Sequence, residues 1–129
     1  MSTSLNLKLQ IKPGHRLLVL NPPPGLGKLL ASGLKGITLA RSGRIDAVLA
    51  FAHTLAEARK LTRKAIRLAG DDGLLWIAYP KGSSKMKTDV NRDRLWEALR
   101  GTGWRPVRIV ALDETWSAMR FRPAQKVHS

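Results

Sequence analysis

Short apolar runs, separated by longer stretches of helical periodicity, are the main pattern along this chain. Each run is bounded by Gly, Pro or other turn residues, which is typical of buried strands. Six strands are predicted at residues 16–20, 36–40, 45–51, 73–79, 105–112 and 116–122. The third is almost entirely apolar, so we expect both of its faces to be buried. Strands that alternate with helices predict βαβ units and a mainly parallel sheet.

The best-defined helix is predicted at residues 55–69. Thr54 and Glu57 have the spacing of a capping box, and Gly70 supplies a C-terminal stop. The positions that recur at helical spacing, and should face the sheet, are Leu55, Ala58, Thr62, Ala65, Ile66 and Ala69.

Two further helices are predicted with weaker signals. One is short and falls within residues 25–34, after a run of prolines. The other has Thr88 or Asp89 as its N-cap and ends at Gly101. Its inward residues are predicted to be Val90, Leu95, Trp96 and Leu99.

Connection lengths predict the topology. Only Asp113, Glu114 and Thr115 separate the last two strands, too few for a crossover helix, so these strands should be antiparallel. With right-handed crossovers elsewhere, the predicted sheet order is 2-1-3-4-6-5, with helices on both faces. This is a single Rossmann-like three-layer α/β domain over residues 1–129, with an N-terminal extension at 1–12 and a frayed tail at 124–129. In the extension, Leu5, Leu7, Leu9 and Ile11 alternate, which fits either an edge strand or a one-turn helix.

Composition narrows the function classes. The 129 residues contain no cysteine, which excludes disulfides and thiolate zinc sites. The chain has no apolar run of roughly 20 residues and no signal-peptide core, so we expect a cytoplasmic protein. The net charge of +14 predicts a positive field and an attraction for polyanions. The alternative is an arginine-rich composition with no nucleic-acid role.

Several segments resemble those of a family of small bacterial proteins, the domain of unknown function 3052 family. They are IKPG at 11–14 leading into VLNPP at 19–23, LWIAYPK at 75–81, TDV at 88–90 and DETWS at 113–117. The parallel sheet with its antiparallel C-terminal hairpin is also similar to the fold of SAM-dependent methyltransferases. The resemblance implies a reduced methyltransferase-like fold and no particular activity.

In open parallel sheets, ligands bind beyond the carboxyl ends of the strands. The first loop at that edge, NPPPGLGK at 21–28, can be compared with three ligand-binding motifs or interpreted as a plain turn. It resembles the Asn-Pro-Pro-aromatic motif of amino-methyltransferases, but Pro24 supplies no ring. It resembles a phosphate loop, but Pro22 and Leu29 stand where a Gly and a Ser or Thr are required. A dinucleotide fingerprint needs three spaced glycines, and only two are present. A stiff strand-to-helix turn is the simplest interpretation, and the candidate ligand residues here are Asn21, Gly25, Gly27 and Lys28.

The second loop at this edge argues against a SAM site. Such sites usually have a carboxylate after the second strand, to hold the ribose hydroxyls. This chain offers Arg41 and Arg44 there, and Asp46 comes only later, at the mouth of the third strand. We therefore expect no cofactor and at most weak SAM binding, with SAM as the alternative cofactor. Arg41 is a candidate anion ligand instead.

The fourth loop is the most suggestive chemically. Lysines and hydroxyls ahead of a helix N-terminus are typical of anion sites. The candidate residues are Lys81, Ser83, Ser84, Lys85, Lys87 and Thr88. The alternative is a solvated basic loop with Thr88 as a cap. Trp116 is a candidate to line the same site, and the neighbouring Asp113 and Glu114 are best explained as turn residues.

The helix at 55–69 carries a basic stripe on its outward side. Its members are Arg59, Lys60, Arg63, Lys64 and Arg67. Like charges four residues apart destabilise a helix slightly, and nucleic acid would neutralise them. The alternative is an exposed face with no partner.

No catalytic constellation is predicted. His15, His53 and His128 have no metal-ligand spacing, and no nucleophile motif is present. The sequence therefore favours a non-catalytic binding domain for an anionic partner, either nucleic acid or a phosphorylated ligand. The alternatives are a reduced SAM-dependent methyltransferase and a protein that binds partners through its antiparallel edge.

Overall fold

A single six-stranded sheet organises the molecule. The computed structural model describes residues 5–25, 30, 33–70, 73–81 and 88–126. Along the sheet the strands follow the order β2-β1-β3-β4-β6-β5, and β6 is antiparallel to both of its neighbours. The strands are β1 Arg16–Leu20, β2 Thr38–Leu39, β3 Ala47–Phe51, β4 Leu74–Pro80, β5 Trp104–Ala111 and β6 Trp116–Pro123. The predicted order and direction are confirmed, and the strand bounds differ from the predicted ones by up to two residues at an end.

The sheet separates two apolar cores. All five residues of β3 are buried, because both faces of this central strand are covered. On one face Leu49 and Trp76 pack with Leu9 and Leu17, and on the other Val48 and Ile77 belong to a second cluster. The domain is therefore a three-layer α/β domain, as the chain pattern predicted.

The N-terminal segment forms helix α1, Leu5–Leu9, which settles the two alternatives in favour of a one-turn helix. Leu5, Leu9 and Ile11 are buried in the first core. The buried indole N–H of Trp76 donates to the carbonyl of Leu9 at 3.0 Å. At the other end of the described chain, Ala124–Lys126 forms a short 3-10 helix.

Helix α2, Leu55–Ala69, has the predicted bounds and caps. The backbone N–H of Glu57 donates to Oγ1 of Thr54 at 3.1 Å, and the N–H of His53 donates to Oε1 of Glu57 at 2.8 Å. The first bond is the N-cap bond of the predicted capping box, and in the second Glu57 accepts from the residue before the cap instead of from Thr54 itself. Gly70 follows with φ +72°, a conformation that favours glycine. The inward face is as predicted, with Ala58, Thr62, Ala65 and Ala69 buried and Leu55 and Ile66 partly buried.

Helix α3, Arg92–Leu99, differs from the prediction in its N-cap and in its buried face. Its N-cap is Asn91, whose side chain accepts from the N–H of Arg94 at 2.8 Å. Thr88 and Asp89 instead bond the start of α2, through the carbonyl of His53 at 2.6 Å and the N–H of Leu55 at 2.9 Å.

The inward face of α3 is narrower than predicted. Leu95 and Leu99 are buried one turn apart, and Val90 is buried just before the helix. Trp96, predicted to point inward, is 48% exposed, because it lies about 100° around the helix from Leu95.

The short helix predicted within residues 25–34 lies mostly outside the described residues. Leu30 and Gly33 are helical, and the N–H of Leu34 donates to the carbonyl of Leu30 at 2.9 Å. No helix in the described parts of the chain has the length and apolarity needed to cross a membrane.

Candidate functional site

The strand order reverses between β1 and β3, which is where open parallel sheets usually bind ligands. Asn21 directly follows β1, and Ala52 and His53 follow β3. Glu57, in the first turn of α2, lies within hydrogen-bond distance of both loops. We call Asn21, His53, Glu57, Thr88 and Asp89 the rim cluster.

Each residue of the rim cluster makes at least one hydrogen bond within the protein. Asn21 has φ +56°, in the left-handed region that Asn tolerates better than most residues. Its amide nitrogen donates to the carbonyl of Phe51 at 2.8 Å and to Oε2 of Glu57 at 3.1 Å. The other Glu57 oxygen accepts the N–H of His53 and lies 3.5 Å from Nδ1 of that ring. The carboxylate of Glu57 thus ties the ends of two strands to α2.

Trp116 lies beneath this cluster. Its ring meets Phe51 and His53 edge-on, at centroid distances of 5.2 and 5.1 Å. At 3% exposure, Trp116 is a core residue, and His53 is the partly exposed ring beside it. The carboxylate of Asp113 accepts the N–H groups of Thr115 and Trp116 at 2.8 and 2.7 Å. Asp113 therefore forms the turn before β6, as predicted.

The predicted anion loops are described only in part. Gly27, Lys28, Ser83, Ser84, Lys85 and Lys87 lie outside the described residues. Gly25 has φ +84° in the turn after the prolines. Lys81 directly follows β4, and its N–H donates to the carbonyl of Thr115 at 2.8 Å. The hydroxyl of Thr88 accepts from the N–H of Val90 at 2.9 Å in addition to its bond to His53.

After β2 the exposed charged residues are Arg41 and Arg44. Asp46 lies at the opposite edge of the sheet, at the amino end of β3. Its carboxylate accepts the N–H of Arg16 at 2.8 Å and lies 3.4 Å from Arg44. The carboxylate expected of a nucleotide-ribose site is thus absent from the described residues at the end of β2.

A different surface, the outward face of α2, carries the basic stripe. All five of its side chains are exposed: Arg59, Lys60, Arg63, Lys64 and Arg67. None of them forms an ion pair with another described residue. Within the part of the chain that the structure describes, no carboxylate therefore compensates the positive charge of the stripe.

The structure extends this surface with residues that the sequence did not single out. Arg59 and Arg63 share a groove of about 540 Å³ with Arg100, which follows α3. The groove also contacts Thr62, which is 1% exposed and whose hydroxyl has no hydrogen-bond partner among the described residues. The pairing of α2 with α3 that creates this groove could not be read from either helix alone.

Trp96 was also missed as a surface residue. It lines a second groove of about 420 Å³ between α3 and β5, together with Arg92, Arg108 and Ile109. The available signal was the helical spacing, because Leu95 and Leu99 form one stripe and Trp96 lies about 100° away from Leu95 around the helix.

Tyr79 is the titratable group whose environment is clearly unusual among the described residues. Burial raises the pKa of its phenol above the ordinary value of 10.0, and the positive charge of Arg92 opposes part of that rise. The phenol is therefore neutral at physiological pH and can donate a hydrogen bond. It lines a groove of about 510 Å³ with Lys81, Asn91 and Arg92. The described residues contain no group of three or more His, Cys, Asp or Glu side chains that could hold a metal ion.

Comparisons with solved structures agree on the fold. A SAM-dependent methyltransferase from Aquifex aeolicus is similar, with a TM-score of 0.59 and 14% identity over 91% of this chain and 86% of that chain. A protein of the NADB-Rossmann superfamily from Streptococcus agalactiae has a TM-score of 0.53 and 13% identity, over 95% and 68% of the two chains. A fibrillarin pre-rRNA processing protein from Methanococcus jannaschii has a TM-score of 0.52 and 13% identity, over 88% and 68%. No family model matches the chain, and no curated protein matches it by sequence. These likenesses show a methyltransferase-like Rossmann fold.

SAM is the cofactor named for the first of these structures, but the described residues of this chain do not fit it. Arginines stand at the end of β2, where a carboxylate would hold the ribose. The carboxylate nearest the switch point, that of Glu57, already accepts bonds from Asn21 and His53.

Proposed function

We propose that this chain is a non-catalytic binding domain on a methyltransferase-like scaffold, and that it holds nucleic acid on the outward face of α2. The observation that carries the proposal is the basic stripe, five exposed cations without an ion-pair partner among the described residues. The net charge of +14 points in the same direction, since it draws polyanions from a distance.

The spacing of the stripe favours a polymer over a small ligand. Arg59, Arg63 and Arg67 follow one another at four-residue steps, as do Lys60 and Lys64. Each step is about 6 Å along a helix, so the row extends over about 12 Å. A small phosphorylated ligand would meet one or two of these cations, whereas a phosphodiester backbone can meet the whole row. Neutralising the row also removes the repulsion between like charges four residues apart.

A reduced SAM-dependent methyltransferase is the alternative from another class. Its support is the fold, which hosts many functions and does not by itself assign one. The arginines after β2 and the occupied carboxylate of Glu57 count against it. We also propose that the chain is related to the domain of unknown function 3052 family and that the protein is cytoplasmic. A second anion site is proposed at the loop that begins at Lys81.

Charge reversal tests the proposal. The variant Arg63→Glu with Lys64→Glu removes two attractions and adds two repulsions on the stripe. The matched control, Lys12→Glu with Lys35→Glu, makes the same change in net charge at exposed positions in the loops that lead into β1 and β2. Both variants should fold, because surface substitutions usually change stability by less than about 0.5 kcal/mol.

Fluorescence anisotropy with labelled oligonucleotides, over a range of salt concentrations, is the measurement. We expect the stripe variant to bind far more weakly, with a salt slope shallower by about two, and the control to keep most of the wild-type affinity. Equal weakening of both variants would mean that net charge alone attracts the probe. Absence of wild-type retention on a polyanion column at about 0.1 M salt would overturn the proposal.

A further inference from the structure

The grooves on the outer side of α2, α3 and β5 are connected through shared wall residues. Arg100 lines the groove of Arg59 and Arg63, and it also lines a groove of about 280 Å³ with Trp96 and Arg105. Trp96 in turn lines the groove between α3 and β5 that contains Arg108. We call the continuous surface formed by Arg59, Arg63, Arg100, Trp96, Arg105 and Arg108 the basic track.

Trp96 is the unusual residue of the track. It is 48% exposed, while Trp76, Trp104 and Trp116 are all buried. Beside it, Val107 and Ile109 of β5 are also exposed, so the indole sits in an apolar patch and not in isolation. Contiguous exposed apolar surface on a folded domain usually marks a binding site.

Positive charge surrounds this patch. Arg105 and Arg108 are exposed and form no ion pair with a described residue. Two carboxylates are nearby, and each already has a cation: Asp93 lies 3.5 Å from Arg92, and Glu97 lies 3.3 Å from Arg100. The patch therefore combines an exposed aromatic ring with a surplus of guanidinium groups.

An exposed aromatic ring surrounded by arginines fits single-stranded nucleic acid better than a duplex. Proteins that bind single strands combine a positive groove for the backbone with aromatic side chains on which the bases stack. In a duplex the bases are stacked inside, so an indole lying on a protein face cannot reach their faces. The charge alone would serve either form, and the exposed ring is what distinguishes them.

We propose that the nucleic acid is single-stranded, that its backbone follows the basic track, and that one of its bases stacks on Trp96. This proposal rests on the proposed function and specifies which form of nucleic acid is bound. The phosphates lie toward Arg59, Arg63 and Arg100, and the stacked base lies between α3 and β5.

The test compares a single-stranded oligothymidylate of roughly 16 nucleotides, the upper end of common site sizes, with a duplex of the same length. Trp96→Ala removes the ring, and Trp96→Phe keeps a smaller one. We expect Trp96→Ala to weaken single-strand binding about tenfold and duplex binding less than about twofold, with Trp96→Phe in between. Thermal unfolding followed by circular dichroism checks that the variants fold.

Tryptophan fluorescence measures the stacking directly in the wild type and does not depend on a variant with weaker binding. Because the other three tryptophans are buried, stacking of a base should quench mainly Trp96. We expect quenching of the wild type by the single strand, little quenching by the duplex, and loss of the effect in Trp96→Phe.

The outcomes separate the two proposals. If Arg63→Glu with Lys64→Glu abolishes binding while Trp96→Ala leaves single-strand affinity unchanged, nucleic-acid binding stands and stacking on Trp96 is wrong. Equal losses for single strand and duplex in Trp96→Ala would also overturn the stacking. If the wild type binds neither probe, both proposals fail.

Discussion

The rim cluster and the basic track are both polar surfaces, but their groups are used in opposite ways. In the rim cluster, Glu57 accepts bonds from Asn21 and His53, and Thr88 and Asp89 bond the first turn of α2. On the basic track, Arg59, Arg63, Arg105 and Arg108 have no ion-pair partner among the described residues. The rim cluster is held by internal hydrogen bonds, whereas these four cations of the track lie on α2 and β5 without such a partner among the described residues.

This difference teaches which polar groups are available to a partner. A side chain that already satisfies buried or capping backbone groups is costly to recruit, because its partners would lose their hydrogen bonds. An exposed cation loses only water and small ions when it meets a phosphate, and the release of condensed counterions favours binding. The residues of the rim cluster therefore act as structure, whereas Arg59, Arg63, Arg105 and Arg108 of the track are available to bind a partner.

The largest expected difference is in the loss of stability on replacing each of two tryptophans, Trp116 and Trp96. Trp116→Ala should lower the free energy of unfolding by about 3–5 kcal/mol, since it empties a site packed against Phe51 and His53. Trp96→Ala should change it by less than about 1 kcal/mol, because its ring is half exposed. Urea denaturation measures both. Similar losses in the two variants would mean that Trp96 is a core residue and that the contrast is wrong.

Two glutamates provide the next comparison. Glu57→Ala should destabilise the domain by about 1–2 kcal/mol, because the N–H of His53 and the amide of Asn21 lose their acceptor. Glu97→Ala is the matched control. It removes an exposed ion pair with Arg100, so stability should change by less than about 0.5 kcal/mol while affinity for nucleic acid rises. A Glu57 variant as stable as the Glu97 variant would contradict the structural role of the rim cluster.

The smallest expected effect is that of adding SAM to the protein. Isothermal titration should show no binding in the micromolar range, because the described residues after β2 offer arginines and the carboxylate of Glu57 is occupied. SAM should likewise leave the melting temperature unchanged. A dissociation constant in the micromolar range or below would mean that the rim cluster can bind a ligand and that its contrast with the basic track is wrong.

Local patterns were sufficient where a structure depends on neighbours in the chain. The capping box at Thr54 and Glu57 and the stop at Gly70 gave the bounds of α2, because these bonds join residues within one turn. The short connection between β5 and β6 required an antiparallel pair, and the longer connections required crossovers, so the strand order followed from lengths and handedness. The outward position of the basic stripe followed from helical periodicity in the same way.

Local patterns failed where the partner is distant in the chain. Thr88 and Asp89 have the composition of N-caps, but they bond His53 and Leu55, more than 30 residues away, so Asn91 caps α3. Trp96 was predicted to be buried on the basis of its hydrophobicity, but the α3 face toward the sheet is already filled by Leu95 and Leu99. The hydrogen bond from Asn21 to Glu57 likewise depends on packing, which brings together the loops that follow β1 and β3.

The sequence by itself therefore determined the strands, the helix α2, the order of the strands in the sheet and the surplus of positive charge. These depend on periodicity, capping and connection length, which act over a few residues. Only the tertiary structure decided that the rim cluster bonds to itself and that Trp96 joins the arginines of α2 and β5 in one surface. Both depend on side chains far apart in sequence that packing brings within a few ångströms, and no short-range pattern encodes that proximity.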